Sequence, residues 1–262
     1  MYDMTPKKSL GQHWLHDEDS LVAMCDSAEL SDNDHVVEIG PGLGTLTKYL
    51  VERVDQVTAV EYDEELFRKL PKNVVADNLT IVHDDCLTFD YGTMPAGYKV
   101  VANIPYYLTS NLLRVLSEAP NPPSIIVLLV QKEVAERVAA GPGQMSILSV
   151  SVQLYYEATL GPLVPAELFT PPPKVDSQII KLVRRASPMF PDLDSARFFR
   201  FVKAGFSQRR KKLRSSLSAG LHMSKPEIER LLQSVDISSD SRPQELSLEQ
   251  WNKLTEAITN AS

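Results

Sequence analysis

Between residues 35 and 140, short apolar runs alternate with stretches of helical spacing, and this alternation constrains the fold more than any other feature. The apolar runs fall at 35–39, 56–60, 79–82, 98–102 and 124–129, with helical spacing at 45–51, 64–70, 110–116 and 132–140. Strand, helix, strand in succession builds right-handed crossovers and a mainly parallel sheet. Two later runs, 145–160 with Val150, Val152, Leu154 and Tyr156 in alternation and 177–183, predict an antiparallel edge on that sheet. Upstream, 17–28 reads as a helix with Asp17 as its N-cap, and 5–16, interrupted by Gly11, reads as an ordered arm.

Near residue 186 the character changes. Ala186-Ser187-Pro188 and Pro191 mark a linker, and helical spacing follows at 196–205, 209–217, 226–234 and 248–258. The expected organisation is an α/β domain over 1–186 and a small all-helical domain over 187–262. Charge is divided along the same lines. The chain carries a net −7, yet residues 174–225 hold 13 Lys and Arg against 3 Asp and Glu. An acidic body with one basic segment fits a nucleic-acid footprint confined to that segment. Cys25 and Cys86 lack a metal-type spacing and read as reduced thiols of a cytoplasmic protein. The five histidines form no cluster, so no metal is expected. No secretory signal and no run of membrane-spanning length is present, so no membrane association is expected.

Three successive strand ends carry polar groups suited to a nucleoside. Glu38-Ile39-Gly40-Pro41-Gly42-Leu43-Gly44 follows the first strand and opens a helix, and its glycines allow backbone to approach a ligand. Glu61 ends the second strand, where a carboxylate can accept bonds from both ribose hydroxyls. Asp85 lies just past the third, in reach of an adenine amino group. Nicotinamide and S-adenosylmethionine sites share this logic. Asn103-Ile104-Pro105-Tyr106, at the end of the fourth strand, separates them. The exocyclic amine of adenine is a poor nucleophile because its lone pair is delocalised into the ring. Two acceptors, the Asn103 side-chain oxygen and the Ile104 carbonyl, can bind its N–H groups and favour a pyramidal nitrogen. Tyr106 can stack on an extruded base, and Pro105 stiffens the turn. Hydride transfer has no use for such a loop, whereas amine methylation does.

Over nearly its whole length the chain resembles the KsgA-type ribosomal RNA adenine N6,N6-dimethyltransferases. The matching residues are Leu10-Gly11-Gln12, Glu38 to Gly44, Glu61, Asp85, Asn103 to Tyr106, Gln131-Lys132-Glu133-Val134, Phe169 to Ser177 and Phe206 to Lys211. The resemblance implies a Rossmann-like S-adenosylmethionine-dependent methyltransferase domain followed by a small helical domain. It implies cofactor contacts at Gln12, His13, Leu15, Gly40, Gly42, Glu61, Asp85 and Asn103. The reacting base is expected against Asn103, Ile104, Pro105 and Tyr106, with Phe169 as a second stacking face. Lys174, Arg209, Arg210, Lys211, Lys212 and Arg214 are expected to contact RNA phosphates, the last five on a helix with cations around much of its surface. The family has Asn-Phe where this chain has His13-Trp14, and many relatives have Asn at Tyr107.

The implied reaction is dimethylation of two adjacent adenosines in the 3′-terminal hairpin of small-subunit ribosomal RNA, within an immature small subunit and by a monomer. Two alternatives share the motifs: an Erm-type methyltransferase of large-subunit RNA, and a non-catalytic RNA-binding assembly or transcription factor. The segment Pro171-Pro172-Pro173 and the run Gln208 to Lys211 favour the small-subunit type, and intact Glu61, Asp85 and Asn103 favour an enzyme.

Overall fold

The structure, a computed structural model, describes residues 7, 10–208 and 210–260. From the N-terminal side come β1 (Trp14–Leu15), α1 (Glu18–Ser27), β2 (His35–Ile39), α2 (Thr47–Val51), β3 (Gln56–Glu61), α3 (Glu64–Asn73) and β4 (Leu79–His83). Then follow β5 (Lys99–Asn103), α4 (Thr109–Glu118), β6 (Ile125–Gln131), α5 (Lys132–Ala139), α6 (Ile147–Gln153) and β7 (Tyr156–Val164). The last described elements are β8 (Phe169–Thr170), β9 (Ser177–Arg184), α7 (Ser195–Phe206), α8 (Leu213–Leu221), α9 (Lys225–Ser234) and α10 (Leu248–Asn260).

The main sheet has the order β4-β3-β2-β5-β6-β9-β7. Its first five strands are parallel, and β9 and β7 complete it antiparallel. The direction of progression reverses between β2 and β5, and ligands of such sheets bind beyond the strand ends at that switch. Ile126 to Val130 of β6 are fully buried, as an interior strand covered on both faces requires. Asp17 caps α1 by accepting from the Ser20 amide, as its place before the helical run predicts. In α4, Leu112, Leu113 and Leu116 face inward, and each buried leucine contributes roughly 1.5–3 kcal/mol.

The chain divides into two compact units, 1–136 with 156–184 and 137–155 with 185–262. The first holds the sheet. The second is helical, with a core that includes Phe198, Phe201, Val202, Leu217, Leu232, Trp251 and Ile258. α7 and α10 approach closely at Gly205, where a Cβ would stand 2.4 Å from the Trp251 ring.

Two expectations change. The run 145–160 is not one strand: 147–153 forms α6, and only from Tyr156 does the chain extend into β7. Ser146 and Ser149 make a reciprocal capping box that starts the helix. Val150 and Leu154, four apart, are buried in the core of the helical unit. An i, i+2 reading of the same residues cannot be told from this one over so short a stretch. Residues 137–155 also pack in the helical unit rather than with the sheet, so that unit is assembled from two segments of chain.

Candidate cofactor and base site

The carboxyl ends of β2, β3, β4 and β5 surround a cavity of about 440 Å³, closed on one side by the residues around β1. Its lining brings together Gln12, His13, Leu15, Gly40, Gly42, Glu61, Asp85, Asn103, Ile104, Pro105 and Tyr106. The volume lies in the range of small-molecule and cofactor pockets.

The glycines of the β2–α2 turn divide the work. At Gly40, with φ +66°, no described atom lies within 4 Å of an added Cβ, so the backbone borders open space in the cavity. Gly44, with φ +82°, meets protein: a Cβ would stand 2.6 Å from Val74 Cγ2 and 2.8 Å from Leu70 Cδ1. The Gly42 amide donates to Glu61 Oε2 at 3.1 Å, and the Asp63 amide donates to Oε1 at 2.8 Å. Glu61 is buried, and loss of hydration pushes its pKa up against these two bonds. Each oxygen is thus aimed by one backbone donor and keeps acceptor capacity towards the cavity.

Asp63 ties the N-terminal arm to this corner. It caps α3 through the Glu65 amide, pairs with Lys7 Nζ at 2.8 Å and accepts from Gln12 Nε2 at 3.3 Å. Burial opposes ionisation of Asp63, but these donors, Lys7 foremost, hold its carboxyl below the usual range. The Gln12 amide is accordingly engaged with Asp63 and with the Lys7 amide at 2.8 Å. Gln12 therefore shapes the site through the arm. Asp85 stabilises its own turn, Oδ1 accepting from the Leu87 amide at 2.9 Å, while Oδ2 has no bond among the described residues.

At the end of β5, Asn103 Nδ2 donates to the His13 carbonyl at 3.4 Å. Among the described residues, no hydrogen bond reaches Asn103 Oδ1 or the Ile104 carbonyl. Both acceptors expected to meet the amine are unspent. Pro105 opens a single 3-10 turn over Tyr106–Leu108. The Tyr106 hydroxyl bonds Ser177 Oγ at 2.7 Å, and burial pushes its pKa up. The His13 ring lies nearly parallel to that of Tyr106, at 18° with centroids 5.9 Å apart, and donates from Nδ1 to the Pro171 carbonyl at 2.7 Å. Tyr107 is 61% exposed at the cavity rim, beside Gly11.

Phe169, expected as a second stacking face, is not among the residues that line this cavity. Phe169 is 3% exposed and packs in the core with Leu15, Leu129 and Ile179, its backbone paired with Leu15 in the β1–β8 ribbon. It supports the arm from beneath and presents no face to the cavity. Of the basic residues, Arg209 lies outside the described residues, and Lys174, Arg210, Lys211 and Lys212 are exposed. The expected helix 209–217 begins only at Leu213, because the Leu213 amide bonds the Ser241 carbonyl and Lys212 takes the N-cap position. Lys212 pairs with Asp240 at 2.7 Å, and Arg214 with Glu229 at 2.7 Å.

One residue of the site escaped assignment from sequence. Glu38 lines the cavity at 1% exposure, and burial, with Glu61 nearby, pushes its pKa up to about 8. Among the described residues, its Oε2 has no hydrogen-bond partner. The signal was present: a lone acid within the apolar strand His35-Val36-Val37-Glu38-Ile39. Among the described residues, no cluster of side chains suits a metal ion, and no helix is long and apolar enough to cross a membrane. An orphaned buried carboxylate oxygen, an open glycine backbone and aimed acids at adjacent strand ends fit an adenosyl and amino-acid ligand such as S-adenosylmethionine.

Comparisons with known proteins agree with this chemistry. The profile of a family described as ribosomal RNA adenine dimethylase matches residues 4–260. The chain is 40% identical over 261 residues to a ribosomal RNA small subunit methyltransferase A of Dehalococcoides mccartyi (strain CBDB1), covering 97% of this chain and 88% of that protein. A crystal structure of a dimethyladenosine transferase from Plasmodium falciparum is similar with a TM-score of 0.81 at 25% identity, covering 95% of this chain and 98% of the other. The 23S rRNA methyltransferase ErmE is similar with a TM-score of 0.74 at 29% identity, covering 94% and 99%.

Proposed function

Because the chain belongs to the ribosomal RNA adenine dimethylase family and is an S-adenosylmethionine-dependent rRNA adenine dimethyltransferase, we propose that it dimethylates two adjacent adenosines near the 3′ end of small-subunit rRNA. Its substrate is the RNA within an immature small subunit, and it acts as a cytoplasmic monomer. The sheet-bearing unit carries the chemistry and the helical unit carries much of the RNA grip. The observation that carries the reading is the pair of unspent acceptors, Asn103 Oδ1 and the Ile104 carbonyl, at the mouth of a nucleoside-sized cavity.

Each residue has a stated task. Glu61, aimed by the Gly42 and Asp63 amides, accepts from the ribose hydroxyls. Asp85 offers Oδ2 to the adenine amino group of the cofactor. Gly40 and Gly42 keep the backbone low, Leu15 supplies an apolar wall, and the Glu38 oxygen faces the amino-acid end. When bound, S-adenosylmethionine supplies a methyl group made electrophilic by its sulfonium. Asn103 and Ile104 accept the two N–H groups of the target amine, concentrate its lone pair and hold it in line. Tyr106 stacks on the base. The amine becomes acidic as it attacks, so its proton leaves to solvent without a dedicated base, and positioning supplies much of the rate. After the first transfer the amine has one N–H left, so one of the two acceptor contacts is dispensable in the second round.

Lys174, Arg210 and Lys211 contact phosphates and place the RNA without reading its sequence. The similarity to ErmE covers the same fold, but 40% identity to small-subunit methyltransferases favours the small subunit over the large. The test is reaction with small subunits lacking the mark and with large subunits, followed by mapping of modified positions. The expected product is dimethyladenosine in the small subunit alone. Monomethyladenosine as the final product, or modification of the large subunit, would overturn the reading.

A further inference from the structure

We infer that Ser177 is a positioning residue for methyl transfer, acting through the hydroxyl of Tyr106, and that it matters most for the second methyl group. This rests on the reading of Tyr106 as the stacking face for the target base. Ser177 is fully buried at the start of β9, where its backbone is paired with Gln131 of β6 on one side and Val164 of β7 on the other. Its Oγ is therefore an anchor whose place is set by the sheet. Tyr106 sits on a loop, and a loop aromatic is free to turn about its side-chain torsions unless its far end is held.

The 2.7 Å bond to Ser177 supplies that hold. It is the one hydrogen bond that either hydroxyl makes with a side chain among the described residues. The Tyr106 carbonyl is fixed separately, accepting from Thr109 Oγ1 at 3.0 Å, so the backbone does not depend on Ser177. His13 lies beside the ring and is held by Pro171, six residues before Ser177. The plane of Tyr106 is thus set by the segment from 171 to 177, whereas Glu61 and Asp85 are set by other strands.

Removal of the Ser177 hydroxyl loosens the base and leaves the cofactor contacts in place. The effect is unequal between the two transfers. The unmodified amine is oriented by two N–H contacts as well as by stacking. The monomethylated amine has one, so stacking carries more of its orientation.

The experiment uses the full chain and small subunits lacking the mark, at saturating cofactor. Rate, the ratio of mono- to dimethyladenosine, cofactor Kd by calorimetry and Tm are read for Ser177→Ala, Ser177→Thr, Tyr106→Phe, Tyr106→Ala and the Ser177→Ala/Tyr106→Phe pair. The expected result for Ser177→Ala is a fall in rate of about 10- to 100-fold, the scale of a small misplacement. Monomethyladenosine should accumulate while cofactor Kd stays within about twofold of the parent, and Ser177→Thr should recover much of the rate. Tyr106→Phe should match Ser177→Ala, and the pair should lose no more than either alone, because all three remove one bond. Tyr106→Phe leaves β9 unaltered and carries the test if Ser177→Ala fails to fold. Full rate in Ser177→Ala with an inactive Tyr106→Ala would overturn this inference and leave the stacking reading intact. Full rate in Tyr106→Ala would overturn both. Additive losses, or cofactor affinity falling in step with rate, would make Ser177 structural and overturn it too.

Discussion

Replacement of Gly44 and Gly40 by alanine should have opposite consequences, although both lie in one turn with positive φ. For Gly44→Ala two costs add. A left-handed conformation costs a residue with a Cβ roughly 1–2 kcal/mol. The new methyl would also stand 2.6 Å from Val74 Cγ2 and 2.8 Å from Leu70 Cδ1, well inside contact distance. Leu70 is fully buried in α3 and Val74 is also buried, so their side chains have to repack, and overpacking of this kind costs about 1–3 kcal/mol. The total is about 2–5 kcal/mol, a large part of the roughly 5–15 kcal/mol that holds a typical domain. At roughly 2–4 °C per kcal/mol, Tm should fall by about 4–20 °C. Gly40→Ala bears the conformational cost alone, because nothing described lies within 4 Å of its Cβ. Its methyl would instead enter the cavity, so cofactor Kd should rise by tenfold or more while Tm falls by only a few degrees. Thermal unfolding of the apo proteins and calorimetry with S-adenosylmethionine separate the two. A Gly40→Ala protein less stable than Gly44→Ala, or a Gly44→Ala protein as stable as the parent, would refute the division of labour.

Asn103→Ala should lower the methylation rate by at least about 100-fold, as loss of a transition-state contact does. Tm should change little, since the side chain makes one long bond. Glu38 has a folded pKa near 8 against an ordinary 4.5, so the folded apo protein holds the proton more tightly than the unfolded chain. The stability from that protonated acid is complete below about pH 4.5 and is lost as pH rises towards 8, on the order of 5 kcal/mol in all. Urea unfolding from pH 5 to 8 should show this slope in the parent and a flatter profile in Glu38→Gln. Neutralising Arg210 and Lys211 together should weaken RNA binding and reduce the salt slope by about one per charge, with cofactor Kd unchanged in filter-binding and calorimetric assays. Asp240→Ala should leave Tm almost unchanged, because its pair with Lys212 is exposed and screened by solvent, and should strengthen RNA binding by freeing that charge.

Those features of the site fixed by strand periodicity were legible in the sequence. Glu61, Asp85 and Asn103 were placed at strand ends by counting apolar runs, and the sheet delivers all three to one cavity. What failed depended on tertiary contact. Phe169 looked like an exposed platform because prolines follow it, yet its pairing with Leu15 turns it into the core. Gln12 does line the cavity, but its bond to Asp63, 51 residues away, was not legible from the local sequence. Residues 210–212 carry helix-forming cations, yet the bond from Leu213 to Ser241 delays the helix past them. Short alternating apolar residues over 150–154 fit either period, and a serine capping box decided the outcome.

The β1–β8 ribbon also bears on how the enzyme is made. His13 and Pro171, which its strands bring together, are 158 positions apart in the chain. During synthesis the arm leaves the ribosome long before its partner exists. The parallel strands that carry Glu61 and Asn103 can assemble as the nascent chain lengthens, and they offer the arm Asp63 and Asn103, but its strand partner and the carbonyl that holds His13 arrive only when Phe169 to Pro171 emerge. Closing so long a loop is entropically costly and comes late. A growing polypeptide should therefore acquire its methyl-donor pocket in one step near the end of translation of this unit.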